Sequence, residues 1–213
     1  MAIRPVFCVA DKYPYVSKKE IEFEWFPGFS KTQKQKSINS LHSSFNELYS
    51  DYKVLEISSY SMQENGENLS AFFLKKYVPS LDISVPVENV FQSSKVFENG
   101  GPYLDLLTKT PREAKKDERL HNSGKLIKFN FENKDYPLIP RTIFYDYIYM
   151  NALLENKELV DGLLTYDAFT DIVFNPEKSL NCQAKAAAEF VSLYRLNKIN
   201  DIKDFDLFIN LFK

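Results

Sequence analysis

Glycine is scarce in this chain, with six residues among 213. None falls into GxGxxG or GxxxxGK[ST], which argues against a glycine-rich phosphate cradle of the Rossmann or P-loop kind. Histidine is scarcer still. With only His42 and His121, a histidine-based triad or zinc site would need unusual economy. The two cysteines, Cys8 and Cys182, lie too far apart for a metal-binding spacing and read as buried free thiols, which suit a reducing compartment. The opening MAIRPVFCVADKYPYV contains no apolar run long enough for a signal peptide or a membrane span, so a cytoplasmic protein with no membrane partner is expected. An excess of one charge is also missing. The net charge of −2 gives no global pull toward nucleic acid. A strand would have to be held by a local patch, for which Lys31, Lys34 and Lys36 with Lys115, Lys116 and Lys125 are the candidates.

Aromatic residues are plentiful: 18 Phe and 13 Tyr within a 44% hydrophobic chain supply a substantial core. The patterning predicts strand and loop over 1–29, then a helix capped by Ser30 or Thr32 and running to Tyr49. His42 lies on the apolar stripe of that helix and reads as a core histidine. Strands are expected at Lys53–Ser59 and Leu69–Lys75, with Asn65-Gly66 as the turn between them. Pro86 opens a helix expected to reach Asn99, and two short helices follow around 103–109 and 111–121. Leu126–Leu138 alternates about Glu132-Asn133-Lys134 as a β-hairpin. Helices are expected over 141–155, 157–164, 179–196 and 204–212, with Phe169–Phe174 as a short strand or ordered loop. The mixed order without a βαβ rhythm predicts an α+β fold, mostly helical. It forms one domain: an N-terminal extension (1–52), a core (53–195) and a C-terminal helix (196–213).

Three clusters carry side chains suited to chemistry. On a helix, Glu88, Gln92 and Lys95 share one face, although a solvated helix surface accounts for the same stripe. In Thr110–Arg119, Thr110, Pro111 and Glu113 form a capping-box signature, and Lys115, Lys116 and Arg119 give a basic side suited to phosphates or to surface ion pairs. In Tyr166–Asp171, two carboxylates and two aromatics precede Asn181, a pairing suited to a sugar–base linkage.

Taken in order, these clusters resemble the NADAR (YbiA-like) N-glycosidase family. The residues that carry the likeness are Ser70-Ala71-Phe72; Glu88, Phe91, Gln92 and Lys95; Thr110-Pro111, Ala114 and Arg119; Asp167-Ala168-Phe169; and Asn181 through Arg195. The chain has Glu88-Asn89 where the family usually has Glu-His, and Thr170-Asp171 where it often has Trp-Gly. With the N-terminal segment EFEWFPGFSKTQKQKSINSLH, these differences bring it nearer to the antitoxin branch associated with DarT-type toxins. The resemblance implies Glu88 as principal catalytic carboxylate and Asp167, or else Asp171, as the second. Lys95 would face the pocket as phosphate ligand or nucleophile, and Arg119 would bind diphosphate. Asn181 would contact ribose, and Ser70, Phe72, Phe91, Gln92 and Phe169 would shape the site. It implies no metal and no cofactor. The implied substrate is ADP-ribosylated guanine in single-stranded DNA, with ADP-ribose as ligand and a DarT-type toxin as functional partner. The alternatives are a non-catalytic module that binds ADP-ribose, nucleic acid or the toxin, and a glycosidase acting on phosphoribosyl pyrimidines of the riboflavin pathway.

Overall fold

In the computed structural model, which describes all of residues 1–213, β1 (Ala2–Val9) and β2 (Val16–Phe23) form an antiparallel hairpin in register from Ala2↔Phe23 to Val9↔Val16. The helix α1 (Lys31–Leu48) follows, with the Ser30 hydroxyl accepting from the Gln33 N–H at 3.3 Å. Then come β3 (Val54–Glu56), α2 (Glu64–Asn68), β4 (Lys75–Val78), β5 (Ile83–Pro86), α3 (Val87–Ser93) and β6 (Lys95–Phe97). A 3-10 turn, α4 (Pro111–Lys115) and α5 (Arg119–Asn122) lead to the hairpin of β7 (Leu126–Phe131) and β8 (Lys134–Tyr136). The chain ends through α6 (Ile143–Glu155), α7 (Lys157–Leu163), β9 (Ala168–Thr170), α8 (Gln183–Arg195) and α9 (Phe205–Asn210). This is an α+β single domain.

The main sheet has the order β2-β1-β9-β3, with β3 and β9 parallel and β1 antiparallel to both of its neighbours. Segment 1–52 therefore supplies half of the sheet's strands. The period-2 alternation of the strands divides the core. Val6, Cys8, Ile21 and Phe23 pack on Ile38, Leu41 and Phe45 of α1. Phe7 and Phe169 belong to the larger cluster, with α6 and α8. The buried run Ala184, Ala186, Ala187 and Ala188 lets α8 approach the strands closely. Directionality fixes what gathers where. The C-terminal ends of β3 and β9, the start of β1 and the end of β2 all lie at one end of the sheet.

Three expectations are corrected. Leu69–Lys75 is not a strand: the N–H groups of Phe73 and Leu74 turn back to the Ser70 carbonyl. The carbonyls of Ala71 and Leu74 accept from the N–H groups of Glu88 and Val87, at 2.9 Å each. These backbone groups seat the start of α3, and β4 begins only at Lys75. Asn65-Gly66 lies inside α2, where Gly66 presses on β3; a Cβ there would sit 2.2 Å from the Glu56 carbonyl. α3 stops at Ser93 rather than Asn99. The hydroxyls of Ser93 and Ser94 both bond the Val90 carbonyl, which competes with helix continuation. β6 then pairs with β7 as the third strand of the β7/β8 hairpin sheet.

Candidate active site

At the end of the sheet where β3 and β9 finish, a cavity of about 610 Å³ opens between Ser59-Tyr60, the Ser70–Phe72 turn, α3, α4 and the loop 171–181. That volume is typical of small-molecule sites. Gln183 ties its walls together. Its Oε1 accepts from the Ala71 N–H and its Nε2 donates to the Ile57 carbonyl, each at 2.7 Å. The helix α8 begins only at Gln183, which leaves Asn181 in the loop, on the cavity wall.

Glu88 sits in the first turn of α3, 5% exposed, with its carboxylate on the cavity. A chain of polar groups orients it. The Lys95 Nζ donates to Gln92 Oε1 at 2.7 Å, which fixes the amide so that Gln92 Nε2 donates to Glu88 Oε1 at 2.8 Å. Lys115 approaches the same carboxylate at 3.5 Å from a largely exposed position. Lys95 belongs to β6, yet it keeps contact with the helix and lies 4.8 Å from the Phe91 ring centroid. Burial draws its ammonium down to about 8, with Glu88 opposing and Lys115 adding to the shift.

Asp171 supplies the second cavity carboxylate. Its Oδ1 accepts from the N–H groups of Val173 and Phe174 at 3.0 and 3.2 Å, while Oδ2 makes no hydrogen bond within the chain. Burial first, then the charge of Glu56, holds its carboxyl above the ordinary range. Glu56 is fixed in turn by the Ile172 N–H at 2.8 Å and the Thr170 hydroxyl at 2.6 Å. The Thr170 hydroxyl lies 2.8 Å from His42 Nε2. His42 is thus a satisfied histidine behind the site, and burial lowers it to about 4.

Four cations border the cavity: Arg112, Lys115, Lys116 and Lys178. The buried Ser70 hydroxyl has no partner and lines the same space. Tyr145 also lines it, edge-on to Phe91 with ring centroids 5.2 Å apart. Burial, reinforced by the Glu88 charge, keeps its phenol protonated far into the alkaline range.

Of the residues singled out from sequence, Ser70, Phe72, Glu88, Phe91, Gln92, Asp171 and Asn181 line one cavity, and Lys95 adjoins it. Three lie elsewhere. Asp167 precedes β9 at the opposite end of the strand, paired with Arg195 at 3.1 Å and accepting from the Lys53 N–H. Phe169 is wholly buried in the main core. Arg119 faces outward, bonded to Asp105 at 2.6 Å and to Asp117 at 2.8 Å, and stacked 4.5 Å from Tyr103. The sequence offers Tyr145, with Arg141, Phe144 and Tyr147, where the family often has a site tryptophan, and gives no sign of Arg112, Lys178, Tyr60 or Gln183 as cavity residues. The basic register of Thr110–Arg119 was visible, but which of its cations turn inward depends on how short α4 is.

No helix is long and apolar enough to cross a membrane. No curated protein matches the chain. The family described as DarT1-associated NADAR antitoxin matches residues 2–213. With that match running from the first strand to the last residue, the chain belongs to the DarT1-associated NADAR antitoxin family.

Proposed function

We propose that the chain is an N-glycosidase that releases ADP-ribose from guanine in DNA and so reverses the modification made by a DarT-type toxin. The observation that carries this reading is the division of charge in the cavity. Two carboxylates, Glu88 and Asp171, lie within, and four cations border it. A diphosphate suits the cations, and an oxocarbenium-like ribose suits the carboxylates. Phe72, Tyr60 and Phe174 offer ring faces or edges between them.

In the proposed reaction the bond between ribose C1′ and the guanine nitrogen breaks, and its electron pair leaves with the base. Asp171, kept protonated by burial and by Glu56, donates its proton to the departing guanine. Glu88 stabilises the positive charge growing at C1′ and takes a proton from the water that attacks there. The products are ADP-ribose and unmodified guanine in the strand. The Lys95–Gln92 pair holds the Glu88 carboxylate in position. Arg112, Lys116 and Lys178 replace Arg119 as the proposed diphosphate ligands, because Arg119 is already saturated by Asp105 and Asp117. The diphosphate would also draw Lys115 away from Glu88.

The test is direct. Oligonucleotides carrying ADP-ribosylated guanine, incubated with the protein, are expected to yield free ADP-ribose and intact DNA. Retention of the modified strand without release would reduce the protein to a binding module, and the toxin would then be opposed by sequestration.

A further inference from the structure

The cavity accommodates one modified nucleotide, but a strand extends beyond it. Strand direction places the start of β1 and the end of β2 at the same end of the sheet as the cavity. Arg4 and Trp25 stand there, followed by Phe26, Phe29 and the first turns of α1. Two features relate this region to the cavity. Tyr60, on the cavity wall, packs on the same hydrophobic cluster as Trp25. Arg4 borders a second depression with Glu20, Glu22, Asn175, Pro176 and Glu177, and the last three belong to the loop that continues to Lys178 and Asn181.

The side chains gathered there are alternately aromatic and cationic. Lys34 Nζ lies 4.5 Å from the Trp25 ring centroid, the Arg4 guanidinium 5.4 Å from it, and Lys36 Nζ 6.0 Å from that of Phe26. Phe29 is 96% exposed, a phenyl ring in water with nothing of its own chain to cover it. None of Arg4, Lys34 and Lys36 is ion-paired with a carboxylate, whereas nearby Lys31 is engaged by Glu67 at 3.2 Å. Burial and the charge of Arg4 hold the Lys34 ammonium below its ordinary value, as expected for like charges without a counter-ion. Glu20 and Glu22 alternate with the buried Ile21 and Phe23, and with Glu177 they line the depression that Arg4 borders, so carboxylates flank the surface on that side and its unpaired cations gather around Trp25 and Phe26.

We propose that Arg4, Trp25, Phe26, Phe29, Lys34 and Lys36 form a docking surface for the single strand of DNA flanking the modified guanine. The identity of the substrate rests on the glycosidase reading; the surface does not. Unpaired bases have exposed faces to stack on aromatic rings, and phosphates match unpaired cations; a paired duplex offers only the second. An acidic protein could also meet both, but bases stacked on the rings with phosphates on the cations match the strand that a modified guanine brings with it, so single-stranded DNA is the occupant proposed.

Trp25 is the only tryptophan in the chain, so emission excited at the red edge of tryptophan absorption, where the tyrosines do not absorb, reports on this surface. Titration with an unmodified oligothymidylate is expected to quench it, and added salt is expected to reverse the quenching. Phe29→Ser, which removes an exposed ring and leaves the core alone, should weaken binding by about tenfold or more. Lys34→Gln with Lys36→Gln should flatten the dependence of log K on log salt by about 1.4, or roughly 0.7 per lost phosphate contact. Both variants retain the Trp25 reporter, and fluorescence anisotropy of a labelled strand checks them independently.

For turnover, kcat/KM for an ADP-ribosylated oligonucleotide relative to ADP-ribosylated guanosine should fall about tenfold in the same variants. Wild-type protein that neither quenches nor shifts anisotropy overturns the surface. So do variants that bind like wild type, and so does quenching by a toxin protein but not by DNA. Strand binding with these signatures but no release of ADP-ribose overturns the glycosidase reading and leaves the surface standing. Release with no dependence on these residues overturns the surface alone.

Discussion

The chain holds two clusters of nearly the same composition, each with a carboxyl raised by burial, and their lysines are held in opposite ways. In the cavity, Glu88 has one cation within ion-pair reach, Lys115, 58% exposed and 3.5 Å away, and Asp171 has none. Between α6 and α8, Asp146 and Glu189 enclose Lys185 at 3.2 and 2.6 Å. Burial alone would lower Lys185, but the Asp146 and Glu189 charges overcome it and hold the ammonium above its ordinary value. Lys95, beside the cavity, has no such pair and falls to about 8. The difference lies in compensation. The helix cluster is closed: one ammonium lies between two carboxylates, burial and then the Asp146 charge raise the Glu189 carboxyl to about 8, and Asp146 Oδ1 and Glu189 Oε2 lack partners. The cavity cluster is left undercompensated on the side from which a ligand would enter. Carboxylates open to an entering ligand suit catalysis, and an ammonium enclosed between two helices by two carboxylates suits fold specification.

The sharpest test of this contrast removes one charge from each cluster. Glu88→Gln keeps the side-chain volume and should lower turnover on the order of 10³-fold, equivalent to about 4 kcal/mol of barrier, while the unfolding midpoint barely moves. Single-turnover assays paired with urea titration check both halves, and wild-type turnover in that variant would remove Glu88 from the mechanism. Lys185→Met should do the reverse. It leaves two carboxylates facing each other in the interior and should cost about 3–5 kcal/mol of stability. Rate per folded molecule should stay close to wild type. A variant as stable as wild type would mean that Lys185 is not what holds the two carboxylates in the interior.

The next effect separates Asp171 from Lys95. A proton donor held above the ordinary carboxylate range works below its pKa, so kcat/KM should fall as pH rises through about 8. Lys95 loses its charge near the same pH, so the alkaline limb alone does not assign the group. Glu56→Gln does. Its charge raises Asp171, so its loss should move the limb to lower pH if Asp171 is the donor and leave it in place if Lys95 controls it. Rate profiles from pH 6 to 9.5 for both proteins decide the matter.

What was legible in the sequence was locally encoded. Ser30 caps α1, Thr110 and Glu113 make a reciprocal capping box, and Glu132-Asn133 adopt positive φ in the hairpin turn. Each depends on residues within three or four positions. The errors arose where a distant partner decided the outcome. Ser70–Leu74 reads as a strand until its carbonyls are seen to receive the N–H groups of α3, and Lys95 leaves its helix because two serines and β7 compete for it. The order of motifs identified the family and the Glu88–Gln92–Lys95 set, because one helix turn and the residues beside it carry them. It did not decide between the carboxylates of Asp167 and Asp171, since four residues along a strand amount to about 13 Å and an end of the sheet.

That ambiguity yields the smallest expected effect and the last test. Asp167 stands at the end of β9 remote from the cavity, about one-third exposed, and its pair with Arg195 is similarly exposed. Exposed pairs contribute about 0–1 kcal/mol. Asp167→Asn keeps an acceptor for the Lys53 N–H and the Arg195 guanidinium, so stability should change by less than about 1 kcal/mol. Turnover should remain within about twofold of wild type, equivalent to less than about 0.5 kcal/mol of barrier. Asp171→Asn, measured in the same assay, should instead lose on the order of 10²-fold, because an amide has no proton to give the departing base. If the two variants exchanged these effects, the working carboxylate would be the one that the cavity does not contain, and the site would have to be sought around Asp167, Lys53 and Arg195.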